Sequence, residues 1–187
     1  MSRTADAHLA DRILDVALTL LRLRGEDGVT LRAVAEAAGT TTPTIYKRYR
    51  DKEALMVALA LRERDKYVKR QSRQKTLEAA IEGYLDWATD HPHEYWLIYG
   101  PKWPRVLSDE RGRPGLEWTD QQLAKRFGGK PEQYRVVTTA LWLLLHGAAS
   151  LITQQANGDD SSRIREESVA ACRRVLLSAK ILRDGLH

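Results

Sequence analysis

The stretch from Thr30 to Leu55 leaves the chain little freedom in local structure, and the rest of the sequence reads around it. In TLRAVAEAAG, the residues Leu31, Val34, Ala35 and Ala38 recur at the spacing of one face of a short helix. Gly39 follows, the residue type that turns with positive φ at least cost. After the turn, Thr41 or Thr42 can cap a second helix, with Pro43 in its first turn, where a missing N–H costs nothing. That second helix carries Thr42, Thr44, Tyr46, Lys47 and Arg48 outward, while Ile45 and Tyr49, four apart, pack back. Two short helices joined by a glycine turn, the second polar and basic, make a helix-turn-helix.

Hydroxyls, a phenol and cations at the start of a helix suit phosphate oxygens and base edges. By their place on the exposed face of the first turns, Thr42, Pro43, Thr44 and Lys47 are expected at base edges. Thr30, Thr41, Tyr46, Arg48 and Lys52 are expected at phosphates, Lys52 from a helix N-terminus directed at the backbone. The charge supports this placement. Residues 1–75 hold 16 Lys and Arg against 10 Asp and Glu, and the remaining 112 residues hold 14 against 15. The basic excess therefore lies in the part that contains the motif, as phosphate binding requires.

The run from Arg12 to Leu55 resembles the DNA-binding domain of the tetracycline-repressor (TetR) family of bacterial regulators. The resemblance rests on Gly25, on Thr30 opening the second helix, and on Ala35 with Ala38-Gly39 at the tight turn. It continues through Ile45-Tyr46 to Asp51-Lys52-Glu53-Ala54-Leu55, which opens the fourth helix. Glu26 stands where the family usually has an aromatic or apolar residue. Ala33 stands where an acid would complete a capping box with Thr30. The resemblance implies a two-fold pair of recognition helices that read a pseudo-palindromic double-stranded DNA operator. It also implies a homodimer, released from DNA when a small molecule enters the C-terminal half.

The expected architecture is all-α: a three-helix helix-turn-helix domain over residues 1–53, then a helical effector-binding and dimerisation domain over 54–187. Helix 1 is expected from about Ala7 to Leu23, helix 4 from Asp51 to about Arg70, and helix 5 from Thr76 to Asp90. The run from Arg62 to Lys75 is highly charged and reads mostly as a solvated helix face. Breakers from Pro92 to Gly115 leave room for one or two turns at HEYWLIYG, and a short helix is expected around Leu116–Phe127. From Val136 to Thr153, 18 residues carry no Asp, Glu, Lys or Arg. A membrane span is not expected, because Thr138, Thr139, His146 and Ser150 interrupt this one isolated segment. A helix buried by its own domain and by a partner fits better.

The final helix is expected from about Ser162 to Leu182. Small residues on the last two helices allow close approach, which places the dimer interface at Ala140, Ala148, Ala171, Val175 and Leu182. LWLLLHG, with Trp142, His146 and Gly147, is similar to the Trp-His-Gly signature of one TetR-type C-terminal subgroup. All five tryptophans (Trp87, Trp96, Trp103, Trp118, Trp142) lie beyond the helix-turn-helix. Tyr84, Trp87, Trp96, Tyr99, Trp142 and His146 are the candidate effector-binding residues, the effector being a bulky apolar or aromatic compound. The competing readings are aromatics that fill a core, His146 as a hydrogen-bonded core residue, and a DNA-binding regulator without a small-molecule effector, or an activator.

No enzyme is expected. His91 and His93 lie on a Pro-broken corner with no acid or thiol at ligand spacing beside Glu94, and Gly-rich phosphate loops, hydrolase Ser motifs and zinc signatures are missing. One cysteine excludes an internal disulfide framework, and with no second soft ligand nearby a zinc site is not expected; no cofactor is expected. The charged start of the chain is not a signal peptide, and a cytoplasmic protein is expected.

Overall fold

The computed structural model describes residues 3–100, 114–154 and 158–185, and all regular structure among them is helical. In chain order the helices are α1 (Arg3–Arg24), α2 (Leu31–Ala37), α3 (Thr42–Tyr46), α4 (Lys52–Gln71), α5 (Leu77–Asp90) and α6 (Pro92–Tyr99). After these come α7 (Pro114–Phe127), α8 (Arg135–Gln154), α9 (Gly158–Leu177) and α10 (Ala179–Asp184). Short 3-10 turns at Glu26–Gly28 and Pro131–Tyr134 precede α2 and α8. The fold is all-α, as the periodicity indicates.

The chain divides into two compact units. One runs to Asp65 and takes in the segment that begins at His93; the other holds Lys66–Pro92 and the remainder. The first unit thus ends inside α4, twelve residues beyond the boundary expected at 53/54. The reason is burial: Leu55, Met56, Leu59 and Ala60 in the first half of α4 are fully buried, so that half belongs to the core of the head.

In the first unit, α1 buries Ile13, Leu14, Ala17, Leu18, Leu20 and Leu21. It ends at Gly25, whose φ of 66° suits glycine. Thr30 caps α2 by accepting the Ala33 amide at 3.1 Å. Ala33 has no carboxylate to return the bond, so only half a capping box forms. Gly39, at φ 61°, makes the turn into α3. Asp51 caps α4 by accepting the Ala54 amide at 2.7 Å. Long-range bonds then fasten the pieces. Arg22 pairs with the buried Glu94 of α6, Arg62 with Asp15 at 2.8 Å, and the Lys52 ammonium donates to the Glu26 carbonyl at 2.7 Å.

In the second unit α8 packs against α9 and α5, with α7 and α10 beside it. Its inner face is Val137, Thr138, Leu141, Leu145, Ala148, Ala149 and Ile152. It is also the one helix among the described residues apolar enough by composition to cross a membrane. Here its inner face is packed within a helical bundle. The carboxylates of α5 at Glu78, Glu82 and Asp86 form an i, i+4, i+8 row. Each meets an arginine from another helix: Arg126 of α7 at 2.6 Å, then Arg173 and Arg165 of α9 at 2.7 Å each. The expected single C-terminal helix is instead two, α9 and α10, joined at Ser178. The Arg183 guanidinium of α10 donates to the carbonyls of Phe127 and Gly128 and to the Tyr134 hydroxyl.

Asp120 of α7 is buried and meets Arg135 of α8 at 3.0 Å. Burial pushes its carboxyl above the ordinary value of 3.8, and Thr138 and Arg135 offset this only in part, while Glu117 and Glu132 add to it. A raised folded-state value means stability is greatest below the ordinary aspartate range and is lost as pH rises through the folded value. Asp120→Asn should therefore gain on the wild type as pH rises from about 4 to 8, measured as the difference between their urea midpoints. For Lys52→Met, loss of the bond to Glu26 should cost about 1 kcal/mol in urea unfolding, while Lys47→Met changes stability little.

Candidate nucleic-acid interface

Five residues are too few for a helix to persist alone, so α3 depends on what holds it. Thr41 provides the N-cap, its hydroxyl accepting the Thr44 amide, and Thr41 and Thr44 share a hydroxyl–hydroxyl bond at 2.9 Å. Pro43 sits in the first turn, and Ile45 is the anchor, fully buried on the inward face. Replacing such an anchor by alanine typically costs 2–5 kcal/mol, which is large for so short an element.

The opposite face is open. Pro43, Tyr46 and Lys47 are exposed, and Thr42 and Thr44 are half-buried beside them. This surface offers a phenol, an ammonium, two hydroxyls and the pyrrolidine ring, arranged over little more than one turn. Hydroxyls and amines bond base edges and phosphates alike. Thr30, the N-cap of α2, is exposed on the element that precedes the turn.

Two cations assigned to phosphates from sequence already have other partners. Arg48 pairs with Asp6 of α1 and also donates to the Asp6 carbonyl at 3.1 Å. Lys52 donates to Glu26, with two ammonium protons still to give. Both are thus part of the scaffold of the head, whatever else they bind. Tyr49, beside Arg48, is half-buried, and burial raises its phenol above the ordinary range. Sequence reasoning passed over Arg32, an exposed cation in the first turn of α2. Its signal was visible: an arginine two residues after a capping threonine, off the apolar stripe.

The candidate effector residues fall in both units. Trp96 and Tyr99 belong to the first unit, where both rings pack on Tyr95, and burial raises the Tyr99 phenol. Tyr84 and Trp87 belong to the second and are buried against Tyr67, with ring centroids 5.9 and 4.3 Å away. Trp142 and His146 form a parallel stack on α8, centroids 5.1 Å apart, both half-buried. Burial lowers the His146 pKa below its ordinary 6.5. A neutral imidazole follows at pH 7, able both to donate and to accept. Trp103 lies outside the described residues.

The expected dimer residues divide as well. Ala148 is buried in its own unit, facing inward from α8, and is not available to a partner. Small size at that position serves packing within the unit. Ala140, Ala171 and Val175 are half-buried, and Leu182 is exposed. The apolar side chains left exposed are larger: Val136, Leu143, Leu144 and Leu151 on α8, then Leu177 and Ile181 on α9 and α10. Among the described residues no group of three or more His, Cys, Asp or Glu could hold a metal ion. Cys172 is buried in α9, its thiol pushed up to about 11 by burial, and so stays protonated.

Comparison with known proteins agrees with this geometry. The profile of "Bacterial regulatory proteins, tetR family" matches residues 13–59, and that of "Tetracyclin repressor-like, C-terminal domain" matches residues 77–176, more than half of the chain. The chain is 41% identical to the tetracycline repressor protein class D of Escherichia coli over 51 residues, 27% of this chain and 23% of that protein. It is 40% identical to an uncharacterized HTH-type transcriptional regulator of Xanthobacter autotrophicus over 60 residues, 32% of this chain and 28% of that one. The match thus spans about a quarter of the length of these curated relatives. In fold it is similar to a tetR-family transcriptional regulator from Streptomyces coelicolor, with a TM-score of 0.69 and 20% identity over 95% of this chain and 87% of that one. The chain belongs to the tetR family of bacterial regulatory proteins.

Proposed function

We propose that this chain is a homodimeric transcriptional repressor that reads a pseudo-palindromic DNA operator through α2 and α3 and is released by a small apolar or aromatic effector. The observation that carries the DNA reading is the head itself. A short helix is capped by Thr41 and anchored by Ile45, and it turns Pro43, Tyr46 and Lys47 to solvent. Thr42, Pro43, Thr44 and Lys47 take base edges. Thr30, Thr41 and Tyr46 take phosphates, with Arg48 and Lys52 holding the head in shape as they do so.

Dimerisation is supported by the apolar side chains that α8, α9 and α10 leave in water. Val136, Leu143 and Leu151 fall on one stripe of α8, and Ala140 lies along it. A side chain at Gly147, on the same stripe, would meet nothing within 4 Å. Two copies joined along such a stripe carry two recognition helices, the pair that a two-fold site requires. The effector reading keeps the second-unit residues Tyr84, Trp87, Trp142 and His146. Its support is the half-buried Trp142–His146 stack, which joins π surface to a neutral imidazole. Tyr84 and Trp87 are packed on Tyr67, which favours a core role for those two and keeps an effector-free regulator as the second reading.

Three measurements test this. Lys52→Ala should lower the slope of log affinity against log salt by about 0.9, whereas Thr44→Ala should change the ranking of operator variants. Leu143→Glu should sediment as a folded monomer, because Leu143 is 56% exposed and the charge harms only a partner contact; a dimer would place the interface elsewhere. All five tryptophans lie outside residues 1–53, so emission reports on the rest of the chain. An effector should shift that emission and weaken operator binding over one concentration range. Trp142→Ala should blunt both responses while operator affinity without ligand is kept; an unchanged effector response would remove Trp142 from the site.

A further inference from the structure

The basic excess of the N-terminal part is not where the recognition helix is. Residues 66–75, KYVKRQSRQK, hold five Lys and Arg and no Asp or Glu. That is most of the excess found over residues 1–75. This stretch is the end of α4 and the turn after it, and it belongs to the second unit, not to the helix-turn-helix unit.

Lys66, Lys69, Arg70, Arg73 and Lys75 are all exposed. Lys69, Arg70, Arg73 and Lys75 form no ion pair among the described residues. Elsewhere the chain pairs its arginines readily: Arg22, Arg48, Arg62, Arg126, Arg165 and Arg173 each meet a carboxylate. The strip has a fixed base. Tyr67, buried beneath it, packs on Tyr84 and Trp87 and donates its hydroxyl to Gln71 at 3.1 Å.

Complementing the α4 dipole accounts for little of this charge, since a helix C-terminus carries only about half an elementary charge. Lys66 and Arg70 are like charges four apart on α4, a spacing that disfavours the helix, and Lys69, Arg73 and Lys75 add three more cations at its end and in the turn after it. A strip kept at that cost fits an external polyanion. The side chains narrow its class. No exposed residue of the stretch is apolar or aromatic. A protein interface centred on an aromatic or aliphatic anchor, a stacking platform for single strands and a helix inserting into lipid all need one. Bare, unpaired cations in a row fit the phosphates of a duplex, which present one charge per about 1.7 Å of axis whatever the sequence.

We infer that Lys69, Arg70 and Arg73 form a second, sequence-independent contact to duplex DNA phosphates, outside the surface that reads the operator. The inference rests on the proposed DNA-binding function and extends it. The strip would add non-specific affinity and salt dependence without adding sequence preference.

The test measures binding of the full chain to a random-sequence duplex of about 40 base pairs over a range of salt, by fluorescence anisotropy. The triple variant Lys69→Gln/Arg70→Gln/Arg73→Gln changes exposed side chains only, and an unchanged circular dichroism spectrum checks its fold. Loss of three phosphate contacts should lower the salt slope by about 2.7, and Lys52→Gln should lower it by about a further 0.9 when combined. A slope equal to that of the wild type in the triple variant, with Lys52→Gln still effective, overturns this inference alone. No duplex binding by the wild type at any salt overturns the DNA-binding function and this inference with it. An unaltered DNA slope beside lost binding of poly-L-glutamate would assign the strip to acidic polypeptide, and also overturns it.

Discussion

The head of this protein depends on the burial of Ile45 and of the first half of α4. A five-residue helix has almost no stability of its own, because nucleation costs more than so few hydrogen bonds return. Ile45 is fully buried, as are Leu55, Met56, Leu59 and Ala60. At about 25 cal/mol per Å² of apolar surface, that burial outweighs what capping alone can supply. The exposed face of α3 is therefore free to be polar, since nothing on it is needed to hold the helix. Structure and chemistry occupy opposite sides of the same short element.

A second division runs through the charges. Some cations are tied into the scaffold: Arg22 to Glu94, Arg48 to Asp6, Lys52 to the Glu26 carbonyl, and the arginines of α7 and α9 to the acidic row of α5. Partly exposed pairs of this kind contribute little each to stability, but they fix the register of helices that apolar contacts alone would let slide. Others, such as Lys47, Lys69, Arg70 and Arg73, stand unpaired in solvent. Net charge does not separate these two populations. Partner geometry does.

That difference explains what was legible in the sequence. Local signals were read well: Gly39 turns with positive φ, Thr30, Thr41 and Asp51 cap their helices, and the apolar spacing in α2, α4 and α5 marks their inner faces. Interactions across the chain were not. Arg48 to Asp6 spans 42 residues and Arg22 to Glu94 spans 72, and no local pattern announces either. Ala148 shows the same limit on α8: a small residue is compatible with a close contact, but its sequence does not say with which neighbour. The end of the first compact unit at Asp65 has no local signal, because α4 is one unbroken helix and neither glycine nor proline marks that point. The break at Ser178 likewise lacks a strong helix-breaking residue.

The central claim is that paired copies of this head read DNA by sequence. The most direct measurement is selection of bound duplexes from a random-sequence pool by the purified chain, followed by sequencing of those retained. The account predicts enrichment of an inverted repeat whose half-sites lie about 10 base pairs apart or a small multiple of that. Retention of duplexes with no common sequence, or of a single asymmetric site, would contradict it.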